Sequence, residues 1–120
     1  MLSPKSASEP SYRLARLSSL IQHELGQIMT REFEPPPGVL VTLTQVRVVP
    51  DLSSARVGIS ILPFIQSEEV FKSLGKLAPH FQRLINAKLR LYRVPKLDFQ
   101  LDNTEEQAAH IDRLLDSLKH

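Results

Sequence analysis

Cysteine is absent from the 120 residues, which excludes a disulfide framework, a thiol nucleophile and any thiolate metal site, and is compatible with a reducing cytoplasm. No apolar run approaches the length of a membrane span. Glycine is scarce and scattered singly at 26, 38, 58 and 75, so the chain has no Gly-x-Gly-x-x-Gly turn, no phosphate loop and no Gly-x-Ser-x-Gly elbow. The histidines, His23, His80, His110 and His120, lack the short ligand spacing of a metal site. No cofactor and no metal are expected. The last scarcity is local: between Lys72 and Leu97 there is no acidic residue.

That acid-free window contains Lys72, Lys76, Arg83, Lys88, Arg90, Arg93 and Lys96 and carries +7, against −1 for the residues before it and −4 for those after it, which gives the modest +2 of the whole chain. The molecule is polarised. Val70, Phe71, Leu74, Leu77, Ala78, Phe81, Leu84, Ile85 and Leu89 recur there at helical spacing and predict a buried stripe. Pro79 interrupts it, because a proline offers no N–H to the Gly75 carbonyl and its ring crowds that carbonyl. The expectation is a helix, a kink at Leu77-Ala78-Pro79 and a second helix. Lys76, His80, Arg83 and Arg90, at i, i+4, i+7 and i+14, fall on one face of a gently bent helix, opposite much of the stripe. A basic ridge of this kind suits a polyanion, nucleic acid before anionic membrane, although it also serves as a solubilising face.

The length predicts one domain with its own core. Met1 to Ser11 is rich in serine and proline without the apolar stretch of a secretory signal, and reads as a disordered arm with Ser11 as the cap of a helix starting at Tyr12. Leu14, Leu17, Ile21, Leu25 and Ile28 mark the buried face of that helix, which ends near Phe33 before the stiff loop Glu34-Pro35-Pro36-Pro37-Gly38. Val39 to Val49 and Ala55 to Leu62 predict an antiparallel hairpin. In the second strand Ala55, Val57, Ile59 and Ile61 face inward and Arg56, Gly58 and Ser60 outward; the first strand alternates too poorly to phase. Lys96 to Asp102 predicts a third strand with Leu97, Phe99 and Leu101 inward. Asn103 to Gln107 has the pattern of a capping box before a terminal helix carrying Ile111, Leu114, Leu115 and Leu118. The order is α-β-β-α-kink-α-β-α, an α+β layer of helices on one face of a three-stranded sheet.

The chain resembles the ribosome-binding factor A family. The resemblance rests on Arg13-x-x-Arg16-Leu17 with Glu24-Leu25 and Arg31-Glu32, on Gly38 and Thr42-Leu43-Thr44-x-Val46, and on Asp51-Leu52-x-x-Ala55-x-Val57-x-Ile59-Ser60. Leu89-Arg90-Leu91-x-x-Val94-Pro95-x-Leu97-x-Phe99 and Asp102-Asn103-Thr104-x-Glu106 complete it, so it runs from about Arg13 to Leu118. It implies a KH-like domain of the second type over residues 12–120, in which a helix-kink-helix, often Ala-x-Gly, replaces the usual glycine-rich clamp. Here that place is taken by Leu77-Ala78-Pro79, and the family's Asp-Pro-Arg loop by Glu34-Pro35-Pro36. By resemblance the protein is a monomeric, non-catalytic assembly factor of the cytoplasm. It would bind the free or immature small (30S) ribosomal subunit through its rRNA, assist late maturation and 5′-end processing, and meet ribosomal proteins and an assembly GTPase, with no membrane partner. RNA contacts are expected from Lys72, Lys76, His80, Arg83, Lys88, Arg90, Arg93 and Lys96, extended by Arg13 and Arg16. Tyr92 is the one aromatic expected near the ridge, so base stacking is minor.

Two other readings stay open on the residues alone. One is a protein-interaction adaptor that uses the acidic terminal helix or the proline loop while its basic face is merely solvated. The other is a small hydrolase built on Asp98 and Asp102, which share a strand face.

Overall fold

The computed structural model of the protein describes residues 5–91 and 93–102; Tyr92 and the terminal helix expected after Asp102 lie outside them. The first element, α1 (Lys5–Glu32), buries Ile21, Leu25, Ile28 and Met29 and lays Leu14 and Leu17 against the same core, as their spacing predicts. Its start differs from the expectation. The helix begins at Lys5, inside the stretch read as an arm, so Ser11 is not its cap. Pro10, beyond the first turn, leaves the Ser6 carbonyl without its donor and crowds it with its ring, a local cost confined to the start of the helix.

After α1, the Val39 N–H bonds the Pro36 carbonyl at 3.1 Å and Gly38 takes a φ of 81°. Proline followed by a residue of positive φ is the requirement of a tight type II turn, and glycine meets it without a Cβ penalty. The chain then enters β1 (Leu40–Val48), which pairs antiparallel with β2 (Ser54–Leu62). Asp51 ties the hairpin loop by accepting from the Ser53 N–H at 3.0 Å and the Ser53 hydroxyl at 2.6 Å.

The inward face of β2 is as expected: Ala55, Val57, Ile59 and Ile61 are all fully buried. Ser60, expected on the open side, is buried too. The failure of β1 to show a phase has a structural cause. The pairing shifts between Leu43 and Gln45, leaving Thr44 as an extra residue. Inward positions therefore change from Val41 and Leu43 to Val46 and Val48. A bulge of this kind inverts the alternation on the strand that carries it.

The third strand, β3 (Lys96–Leu101), pairs in parallel with the other side of β2, so β2 is central in the order β1-β2-β3. Parallel neighbours require a crossover. It is supplied by a short 3₁₀ turn (Phe64–Gln66), α2 (Ser67–Gly75) and α3 (Ala78–Leu89). The break between the two helices falls at the expected kink, with Pro79 in the first turn of α3, where its missing N–H is least costly. Backbone continuity across the break is helix-like: Lys76 bonds back to Lys72, Leu77 to Leu74 and Phe81 to Leu77. Val70 and Leu74 on α2 and Phe81 and Ile85 on α3 complete the core.

Gln82 fastens the return strand to α3. Its Oε1 accepts from the Leu97 N–H at 2.8 Å, and its Nε2 donates to the Pro95 carbonyl at 3.2 Å, standing in for the next strand along the outer side of β3. Gln82→Ala leaves both backbone groups without this partner. It is expected to cost about 1–3 kcal/mol, read as a lowered denaturant midpoint with unchanged slope; an unchanged midpoint would mean that water replaces the amide at no cost.

Candidate nucleic-acid interface

The basic residues of the acid-free window are spread over three successive supports. Lys72 and Lys76 stand one turn apart at the end of α2, both exposed. On α3, Arg83 is exposed and makes no side-chain hydrogen bond or ion pair among the described residues. Arg90 follows the helix in a left-handed conformation, φ 52° and ψ 34°, a place usually given to glycine. Arg93 and Lys96 lie exposed on the approach to β3 and its first residue. On α1, Arg13 and Arg16 are exposed, and the Arg16 guanidinium stacks 5.6 Å from the centre of the Tyr12 ring.

The single straight ridge expected from Lys76, His80, Arg83 and Arg90 is divided. Arg90 lies beyond the end of α3, and His80 is half-buried against α1, its Nε2 2.8 Å from Glu32 Oε1. Lys88, two turns further along α3, reaches Glu24 Oε1 at 3.8 Å. Both spacings are eight residues and run in opposite senses, so α1 and α3 are antiparallel, with Ile28 and Leu84 lining the groove midway. His80 and Lys88 thus serve partly to hold the two helices in register. Lys72, Lys76, Arg83, Arg90, Arg93 and Lys96 are left as the cations directed to solvent.

Two acids beside these cations titrate low. Hydrogen bonds from His80 and then Arg31 hold the Glu32 carboxyl below its ordinary value, and the Ser53 hydroxyl and N–H, aided by the charge of Arg93, do the same for Asp51. A carboxylate whose pKa is depressed by folding stabilises the fold above its unfolded value and loses that contribution as pH falls through the folded one. Stability is therefore expected to drop below about pH 4. The Glu32→Gln/Asp51→Asn variant should show a flatter thermal midpoint against pH there, and a slope equal to that of the native chain would refute the assignment.

The carboxylates of the hydrolase reading do not form a pair. Asp98 accepts from the Gln100 amide at 3.1 Å and Asp102 from the Thr44 hydroxyl at 2.9 Å, and four residues of extended chain separate them by about 13 Å. Among the described residues there is no group of His, Asp and Glu that could hold a metal ion, and no helix is long and apolar enough to cross a membrane. The acids that pair with the ridge, the bulge at Thr44 and the Gln82 fastening are not visible in the local sequence, since their partners lie far along the chain.

Comparison with known proteins bears on this geometry. The family model described as "Ribosome-binding factor A" matches residues 13–115. A ribosome-binding factor A of Chloroherpeton thalassium is 41% identical over 108 residues, 88% of this chain and 86% of the relative. That of Chlorobaculum tepidum is 39% identical over 112 residues, 91% and 92% of the two chains. The crystal structure of ribosome-binding factor A from Thermus thermophilus superposes with a TM-score of 0.64 at 20% identity, covering 73% of this chain and 93% of the other, which supports the KH-like α+β fold. With the matched segment running from the first exposed arginines of α1 past the end of β3, the chain belongs to the ribosome-binding factor A family.

Proposed function

We propose that the protein is a non-catalytic assembly factor that binds the free or immature small ribosomal subunit through its rRNA and assists late maturation, including processing at the rRNA 5′ end. It acts as a monomer in the cytoplasm and contacts neighbouring ribosomal proteins and an assembly GTPase. The observation that carries the reading is the set of exposed cations on α2, α3 and the approach to β3, in a window with no acid of its own, on a chain of this family. Lys72, Lys76, Arg83, Arg90, Arg93 and Lys96 neutralise phosphates, while RNA shape sets the register. Arg13 and Arg16 extend the surface, and His80 and Lys88 contribute at its border with α1. The left-handed Arg90 is consistent with this use, because a non-glycine residue held there retains its side chain at a cost in backbone strain.

Co-sedimentation with purified small subunits across a salt series tests the proposal. Affinity should fall steeply with salt, and Lys76→Glu/Arg83→Glu, still folded by circular dichroism, should weaken binding at least tenfold and reduce the slope of log K against log salt by about 1.4–1.8. Binding that resists salt would favour the adaptor reading. Salt-sensitive binding untouched by the substitutions would move the site off the helices.

A further inference from the structure

The helices cover one face of the sheet, and the opposite face carries a second pair of cations outside the acid-free window. Arg47 on β1 and Arg56 on β2 are direct cross-strand partners, both exposed. Residues so placed have Cβ atoms about 5 Å apart, and like charges there are unfavourable. Neither arginine makes an ion pair or side-chain hydrogen bond among the described residues, although Asp98 is the register neighbour of Arg56 on β3. Asp98 is engaged by Gln100 and Asp102 by Thr44. Two residue pairs further along, Gly58 has no side chain between Gln45 and Gln100. The result is a mainly polar hollow of about 180 Å³ lined by Gln45, Arg47, Arg56, Gly58, Gln100 and Asp102, with Leu101 beside them.

We infer that this hollow is a second phosphate-binding site, and that its ligand is the backbone of an RNA strand. Two forked guanidiniums side by side present several N–H donors to a tetrahedral anion, and the mutual repulsion of the arginines is relieved when it enters. The Gln45 amide and the one Gln100 N–H not given to Asp98 add neutral donors at the rim, suited to sugar and phosphate oxygens. The hollow opens on the side of the sheet away from α2 and α3. An RNA contact here and one on the helices therefore engage two segments of RNA on opposite sides of the domain. This rests on the rRNA-binding reading above and adds to it a bridging geometry.

Isotope-labelled protein titrated with a short RNA hairpin, and separately with inorganic phosphate, tests the hollow directly. The backbone resonances of Arg47, Arg56, Gly58 and Gln100 should shift with the hairpin at concentrations at which inorganic phosphate has little effect, and the shifts should disappear in Arg47→Gln/Arg56→Gln. That variant should melt close to the native protein, since the like-charge pair it removes is offset by the lost cross-strand attraction of Arg56 to Asp98. In the small-subunit salt series it should lower affinity about tenfold and reduce the slope by about 1.4–1.8, additively with Lys76→Glu/Arg83→Glu. No shift at these residues with RNA overturns the inference, as do shifts produced by phosphate alone, which would mark a small-anion pocket. Should the native protein fail to sediment with subunits while the hairpin shifts appear, the assembly-factor reading falls and the hollow stands.

Discussion

Phe81→Ala is expected to remove about 3–5 kcal/mol of stability, enough to leave a domain of ordinary stability partly unfolded at physiological temperature. Phe81 has no exposed surface and is among the largest fully buried side chains. It enters the core from the first turn of α3, two residues after Pro79, and its ring centre lies 6.0 Å from that of Phe99 on β3 at a tilt of 53°. Truncation therefore opens a cavity where α3 meets the return strand and removes a ring pair worth about 0.5–1.5 kcal/mol beyond its area. Phe81→Leu retains most of the volume and should cost clearly less. Equilibrium urea unfolding reads both. A loss below about 1.5 kcal/mol for the alanine variant would mean that the kink lets α3 collapse into the space.

Gly58→Val should be nearly as damaging, about 3 kcal/mol, for a different reason. A Cβ at this position comes 2.5 Å from the Thr44 hydroxyl oxygen and 3.3 Å from Asp102 Oδ2. These two groups bond each other across the bare backbone of the central strand, linking the bulge of β1 to the end of β3. Any side chain must push Thr44 away and strip Asp102 of its donor. Thr44→Ala in the Gly58→Val background should then recover part of the loss, although Thr44→Ala alone destabilises. If thermal unfolding shows the two costs simply adding, the crowding at Thr44 is not the cause.

Features that follow from covalent constraints were legible in advance. Pro79 has no N–H whatever its surroundings, so the division of the crossover into two helices could be read from its position, and the alternation of β2 could be read because both its neighbours leave it regular. The phase of β1 could not, because the extra residue at Thr44 is defined by its pairing with β2 and by Asp102, 58 residues away. Nor is the parallel sense of β2 and β3 written in either strand. Ser11 resembled a cap because its residue type suits one, yet the helix runs through it. At the candidate site the charges were countable but their engagement was not: Glu32 and Glu24 on α1 turn His80 and Lys88 toward the helix groove, and only a register brings Arg47 opposite Arg56.

The bulge also bears on self-association. In the order β1-β2-β3 the outer side of β1 is a nine-residue edge that no strand among the described residues pairs with, long enough to template another strand. The shift at Thr44 breaks its run of evenly spaced donors and acceptors and adds local twist. A second copy laid along it would lose register midway and could extend only a few residues on either side. The same irregularity that obscures the strand in the sequence thus blunts the edge on which chains of this protein would otherwise stack.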